Sequence, residues 1–300
     1  MTISAEIVLD SVSDDTGKRL TSFLLRYPRF IHAEFMTHRD FSRNSSSSRA
    51  IPVEKMIRMI MEDTAMPVHW GLNQPGMQAS EVSYPKKTIY SDGGYFMPGS
   101  DVEWDCEAEW KDARDSAISR ALAFHAAGYH KQIVNRLLEP FMHITVLVTA
   151  TEWENFFSLR IHPDAQPEIR VLAEKMYGAM QSSEPNILKN YQWHLPFLTE
   201  ESRHFSLRDQ IKMSVARCAR TSYLTHEGKE PNPEKDFELY HRLVGAKPWH
   251  ASPTEHQAQP ARDGSLPFAN FRGWIPFRGI LEATNPIHGA PLTSKEEDDE

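Results

Sequence analysis

The sequence predicts an α/β fold. Two segments dense in β-branched and large apolar residues, 20–27 (LTSFLLRY) and 143–149 (HITVLVT), read as strands. Around them run longer segments whose apolar residues recur at three- and four-residue spacing, the period of a helix with one buried face. With 300 residues, 40% of them hydrophobic and 10% aromatic, the chain can bury a sizeable core.

Composition excludes several classes. No apolar run approaches the roughly 20 residues needed to span a bilayer, and the start MTISAEIVLDSVSDD lacks the basic and apolar regions of a signal peptide, so no membrane partner and a cytoplasmic location are expected. The two cysteines, Cys106 and Cys218, lie far apart, which argues against a disulfide framework and reads as two buried thiols. A net charge of −8 speaks against a polynucleotide partner. Much of it sits in the last residues, and 293–300 reads as a disordered acidic tail.

After a polar start comes the strand 20–27, and Pro28 opens a helix over 28–39 (PRFIHAEFMTHR) in which Glu34 and His38 lie one turn apart. Residues 52–63 form the next helix, with Met56, Ile57, Ile60 and Met61 as its apolar stripe. From 64 to 102 the chain is rich in Gly, Pro, Asn and Ser, an irregular insertion that reads as a lid or a subunit contact. A helix over 103–127 follows, with Ala117, Ile118, Ala121 and Leu122 inward and Gly128 as its stop. Residues 130–138 make another, with Ile133, Val134, Leu137 and Leu138 inward and Arg136 on a different face, before the strand 143–149. Helices at 152–160 and 165–180 come next, the second with Ile169, Leu172, Ala173 and Met176 as its core stripe and Gln166 and Arg170 off it. Ser206 is the N-cap of a helix in which Leu207, Ile211, Val215 and Cys218 are spaced for burial. A short helix over 236–244 ends at Gly245, and beyond Trp249 no clean periodicity remains. Neither a Walker loop nor a dinucleotide-binding glycine fingerprint is present.

The stretch 37–49 (THRDFSRNSSSSR) concentrates anion-binding chemistry. Guanidinium forks bracket a run of hydroxyls, so phosphate could receive charge-assisted hydrogen bonds there. By composition the same run also reads as a flexible linker. Taken singly, Arg136 and Arg160 are ordinary surface salt-bridge partners, and Asn155 a brace for its own helix. His250, Glu255 and His256 have no third ligand at metal-binding spacing, so no metal is expected.

Four motifs together are more specific. The segments 155–160 (NFFSLR) and 165–170 (AQPEIR) resemble the "NFLxLR…AQxEIR" signature of the flavin-dependent thymidylate synthases, and Arg136 resembles the arginine upstream of it. The stretch 37–49 resembles that family's "RHRxxSxNExSxRY" motif at His38, Arg39, Ser42, Asn44, Ser47 and Arg49. Residues 250–256 (HASPTEH) match an "HxSPxEH" element, and 219–223 (ARTSY) the "AARxSF" segment before it. In the family these two elements precede the arginine motif, so their order here implies a circular permutation.

The resemblance implies a mixed or antiparallel sheet flanked by helices, with residues 1–292 as a single catalytic domain. It implies a homotetramer that takes small-molecule nucleotide and folate substrates, with FAD, NADPH and methylenetetrahydrofolate, to transfer a one-carbon unit to C5 of dUMP. By the same resemblance His38, Arg39, Asn44, Asn155, Ser222, Ser252 and Glu255 fall at flavin contacts, and Gln166 on the cofactor side. Ser47, Arg49, Arg136 and Arg160 fall on the nucleotide, Arg160 at the pyrimidine, and His250 near the folate and flavin ring, which makes Arg160 and His250 the catalytic candidates. The chain departs from the family at Thr37 (arginine), Ser45 (glutamate), Glu34 (glutamine), Asp164 (histidine) and Ala50 (tyrosine). Either Arg43 compensates for the missing cation or the substrate has changed, to dCMP or toward a hydroxymethyl product. A non-catalytic nucleotide-binding homologue is the remaining alternative.

Overall fold

The computed structural model describes residues 3–76, 106–223, 232–246, 249–265 and 267–284. Most of the expected insertion (77–102) and all of the expected acidic tail lie outside the described residues. Strands β1 (Ser4–Ser13) and β2 (Arg19–Pro28) pair antiparallel across a turn where Gly17 has φ +66°, a left-handed conformation that glycine adopts without steric cost. Strand β3 (Ser42–Ser45) pairs antiparallel with β4 (His143–Ala150), β4 antiparallel with β2, and β5 (Asn186–Leu188) parallel with β1. The sheet order is therefore β3-β4-β2-β1-β5, the mixed sheet that was expected.

Three readings are corrected along this sheet. The polar start is a ten-residue strand, missed because a register shift between Ile7 and Leu9 breaks its alternation and because Asp10, Ser11 and Ser13 are buried on polar partners. The helix expected over 28–39 shrinks to a 3₁₀ turn, Arg29–Ile31, and one turn of α-helix, α1 (His32–Phe35). Neither turn has a side-chain cap, and the chain must drop into β3 within seven residues of Phe35. The serine-rich stretch is therefore not a loop at its start: Ser42 to Ser45 form an edge strand.

Period 2 on β2 and β4 divides the packing. One face presents Phe23, Leu25, Tyr27, Ile144, Val146 and Val148 to Phe35, Phe41, Trp153 and Phe156, and to the stripe Ile169, Leu172, Ala173 and Met176 of α6 (Pro167–Gln181). The opposite face carries Leu20, Ser22 and Thr149 and is covered by the C-terminal third, where Ala258, Phe271 and Trp274 pack on Leu20. A separate core joins α2 (Val53–Glu62) and α3 (Cys106–Ala126) through Val53, Met56, Ile60, Ile118 and Ala121. Met61 and Leu122, expected in these stripes, are exposed. Gly128, at φ +84°, stops α3 as expected.

The helix read over 130–138 is α4 (Lys131–Val134) followed by a 3₁₀ segment, Asn135–Phe141. The tighter winding buries Val134 and Leu138 and turns Ile133 and Leu137 outward. Helix α5 (Glu154–Arg160) precedes α6, and α7 (Leu207–Arg220) starts at Ser206, whose hydroxyl accepts from the Asp209 amide. Leu207, the first residue of α7, is exposed rather than buried. Helix α8 is Pro233–Val244. The region without periodicity contains strands of two or three residues, β6 (Ala258–Pro260), β7 (Pro267–Phe268), β8 (Phe271–Arg272) and β9 (Trp274–Pro276), and then α9 (Phe277–Thr284). Such short strands leave no alternation to read. No helix among the described residues is long and apolar enough to cross a membrane.

Candidate functional site

The end of α5 and the chain between α1 and β3 meet at one cluster. Arg160 Nε donates to His38 Nε2 at 2.9 Å, and its Nη2 donates to Thr37 Oγ1 at 3.1 Å. The Thr37 hydroxyl donates in turn to the Glu34 carbonyl at 2.7 Å. The His38 ring lies against Phe41, with centroids 5.7 Å apart, and meets Phe156 edge-on at 4.9 Å. Burial, then the charges of Arg160 and Arg43, push its pKa down to about 4. His38 is therefore neutral at physiological pH, with Nε2 as an acceptor for the guanidinium.

Behind it, Tyr27 Oη and His32 Nδ1 share a hydrogen bond of 2.9 Å. Burial raises the Tyr27 pKa and, with Arg29 and Arg43, lowers that of His32 to about 4. Arg43, half-buried on β3, donates from Nη1 to the Phe35 carbonyl at 3.3 Å.

The next residue of β3 gathers two distant segments. Buried Asn44 donates from Nδ2 to the Cys218 carbonyl at 2.6 Å, and its Oδ1 faces the hydroxyls of Ser222 at 3.4 Å and Ser252 at 3.3 Å. The Ser47 amide donates to the Ser222 carbonyl at 3.0 Å. Glu255 accepts from Arg278 Nη1 of α9. His256 is fully buried with Nδ1 on Thr149 Oγ1 at 2.9 Å, so Glu255 and His256 turn to different partners instead of sharing a ligand. From Thr149 a buried polar chain runs through Ser22 to His194 and Ser11.

The remaining sequence candidates are more scattered. Arg136 is exposed and donates to Glu139 Oε1 at 2.7 Å, an oxygen that also accepts from Ser48 at 3.3 Å and pairs with Arg29 at 3.1 Å. Arg136 thus reaches the serine run through Glu139 and Ser48. Arg39 and Arg49 are exposed and have no ion pair among the described residues. The side chains of Asn155, exposed on α5, and of His250, exposed beside α8, make no hydrogen bond among the described residues. Gln166 is the N-cap of α6, its Oε1 accepting from the Ile169 amide at 3.2 Å and its Nε2 donating to the buried Glu168 carboxylate. Cys218 is buried and its thiol pKa is raised, so it holds no ready thiolate.

Sequence reasoning missed Arg278, His194 and the pair Arg217–Asp236. Arg278 lies in the stretch without periodicity. His194 gains its meaning from Ser11 and Ser22, more than 170 residues away.

The chain matches the family model described as thymidylate synthase complementing protein over residues 20–186, more than half its length. No curated protein matches it. Two solved structures of a UMP/dUMP methylase, PolB from Streptomyces cacaoi, are similar. The one with 5-Br dUMP is 18% identical with a TM-score of 0.40, covering 60% of this chain and 90% of that one. The one with 5-Br UMP is 19% identical with a TM-score of 0.38, covering 60% and 88%. From the family match, the chain is a member of the thymidylate synthase complementing protein family.

Proposed function

We propose that this chain is a flavin-dependent thymidylate synthase-like enzyme that transfers a one-carbon unit from methylenetetrahydrofolate to C5 of dUMP, with FAD reduced by NADPH. One observation carries the reading. Asn44 of the arginine motif meets the hydroxyls of Ser222 and Ser252, 178 and 208 residues further along, from the two elements that the resemblance pairs with that motif. The same contacts support the circular permutation, because the last motif in sequence lies against the first.

The donor chemistry fits phosphate-bearing ligands. Arg39, Arg43 and Arg49 carry guanidiniums with no carboxylate partner among the described residues, and the Ser47 hydroxyl lies in the same run. When bound, reduced flavin supplies the hydride and the folate supplies the carbon. Arg39 and Asn44 would hold the cofactor, and Ser47, Arg49 and Arg136 the nucleotide. Arg160 would stabilise negative charge on the pyrimidine oxygen as C5 reacts. Its Nε is fixed by His38 Nε2, and its Nη2 rests on an exposed threonine hydroxyl that a ligand oxygen could replace.

A second reading has its own support. Glu34 Oε2 is buried without a hydrogen-bond partner, an acceptor at a position where the resemblance implies a glutamine. An acceptor there suits an amino group, so methylation or hydroxymethylation of dCMP is the alternative. Incubation with FAD, NADPH, methylenetetrahydrofolate and either dUMP or dCMP, followed by product mass, separates them. A methyl gain on dUMP is expected. A hydroxymethyl gain or a dCMP product supports the second reading, and no product with no flavin bound leaves the non-catalytic homologue.

A further inference from the structure

Arg43 is left with unspent chemistry. A guanidinium presents five N–H donors. Among the described residues Arg43 uses one, a 3.3 Å hydrogen bond from Nη1 to the Phe35 carbonyl. Its side chain is half-buried, and burial disfavours its charge. The groups whose ionisation it influences, Tyr27, His32 and His38, are all neutral. Thr37 brings only a hydroxyl, already engaged with Arg160 and the Glu34 carbonyl.

Among the described residues Glu255 is a carboxylate whose field acts on Arg43, and Glu255 is hydrogen-bonded by Arg278 of α9. Arg278 also holds Glu282 through Nε at 2.8 Å. A cation desolvated this far and left without an anion is an unfinished arrangement. A phosphate would complete it, accepting two of the free donors as a fork.

We propose that Arg43 is a ligand for a phosphate or pyrophosphate group of the bound nucleotide, and that Arg278 keeps it available by holding Glu255. This rests on the nucleotide-binding reading of the same site. The competing role for Arg43 is purely structural, as a cap on the Phe35 carbonyl at the end of α1.

Calorimetric titration of the full chain at fixed salt distinguishes them, with inorganic pyrophosphate, FAD against riboflavin, and dUMP against deoxyuridine as probes. Arg43→Gln keeps a donor for the cap and loses the charge. It should weaken the phosphate-bearing probes about 10- to 100-fold, the effect of one charge-assisted hydrogen bond, and leave riboflavin and deoxyuridine unchanged. Loss on FAD alone assigns the flavin pyrophosphate; loss on dUMP alone assigns the nucleotide monophosphate. Arg278→Gln, which leaves β3 untouched, should weaken the same probes by releasing Glu255 onto Arg43. The double variant Glu255→Gln, Arg278→Gln should restore pyrophosphate binding.

If Arg43→Gln does not fold, the Arg278 variants carry the test. Unchanged affinity for every phosphate-bearing probe, or equal losses with and without phosphate, overturns the inference. So does a wild-type chain that binds no phosphate-bearing probe. Arg43-dependent pyrophosphate binding without FAD or dUMP binding would sink the proposed function and the nucleotide as ligand, and leave Arg43 as an inorganic-anion site only.

Discussion

At the scale of single residues, the Arg160–His38 contact sets two properties at once. The guanidinium donates to Nε2, which requires that nitrogen to be unprotonated, and its charge helps hold the ring near pKa 4. Arg160→Ala should abolish turnover while leaving the melting temperature close to wild type, because the side chain is only partly buried at the end of α5 and makes no ion pair among the described residues. It should also raise the His38 pKa from about 4 toward the ordinary imidazole value, since one of the two cations that lower it is gone. An NMR titration of the His38 ring reads this directly. An unmoved pKa would mean that burial and Arg43 set it without Arg160, and near-normal turnover would remove Arg160 from the site. The pairing itself was not legible in the sequence: the 122-residue separation hides it, and the motifs gave only the two residue identities.

At the scale of elements, α7 positions the Asn44 cluster, because the Cys218 carbonyl and Ser222 lie at and just beyond its C-terminal end. What holds α7 is a buried charge cluster. Asp236, fully buried on α8, accepts from Arg217 Nε at 2.8 Å and from Arg220 Nη2 at 2.8 Å, while Arg217 also donates to the Phe197 carbonyl and the Ser202 hydroxyl. Removing the carboxylate strands two guanidiniums, one of them 4% exposed. Asp236→Asn should therefore cost about 3–5 kcal/mol by denaturant unfolding. A cost under about 1 kcal/mol would place the cluster in the weak class of surface pairs. Helices with a clean stripe, such as α6 with its four buried positions, were readable from spacing alone. The segment 28–39 misled because three aromatic or aliphatic residues happened to fall at helical spacing while the next strand pulled the chain away. The C-terminal strands left no pattern because each is too short to repeat.

At the scale of the whole molecule, five histidines among the described residues are kept neutral by the fold. Burial, the leading cause in each, lowers the pKa of His32, His38 and His143 to about 4 and that of His194 and His256 to about 3. In the unfolded chain each returns to about 6.5. Below that value the unfolded state binds more protons than the native one, so stability is complete above about pH 6.5 and declines as pH falls toward 4. Melting temperature measured across this range should fall steadily, with net proton uptake on unfolding. A flat profile down to pH 5 would show that these rings are less sequestered than their burial implies. Two of these rings, His194 and His256, belong to the buried chain of hydroxyls and imidazoles beneath the C-terminal third. Each hydroxyl there has one hydrogen to give, and the three contacts between the rings, His194–Ser22–Thr149–His256, need three. Ser22 and Thr149 supply two, so at least one imidazole must donate into the chain, His194 from Nε2 or His256 from Nδ1. The pair with hydrogen on Nδ1 of His194 and on Nε2 of His256 is excluded, and each ring, two side chains away from the other, thereby limits the tautomer the other can take.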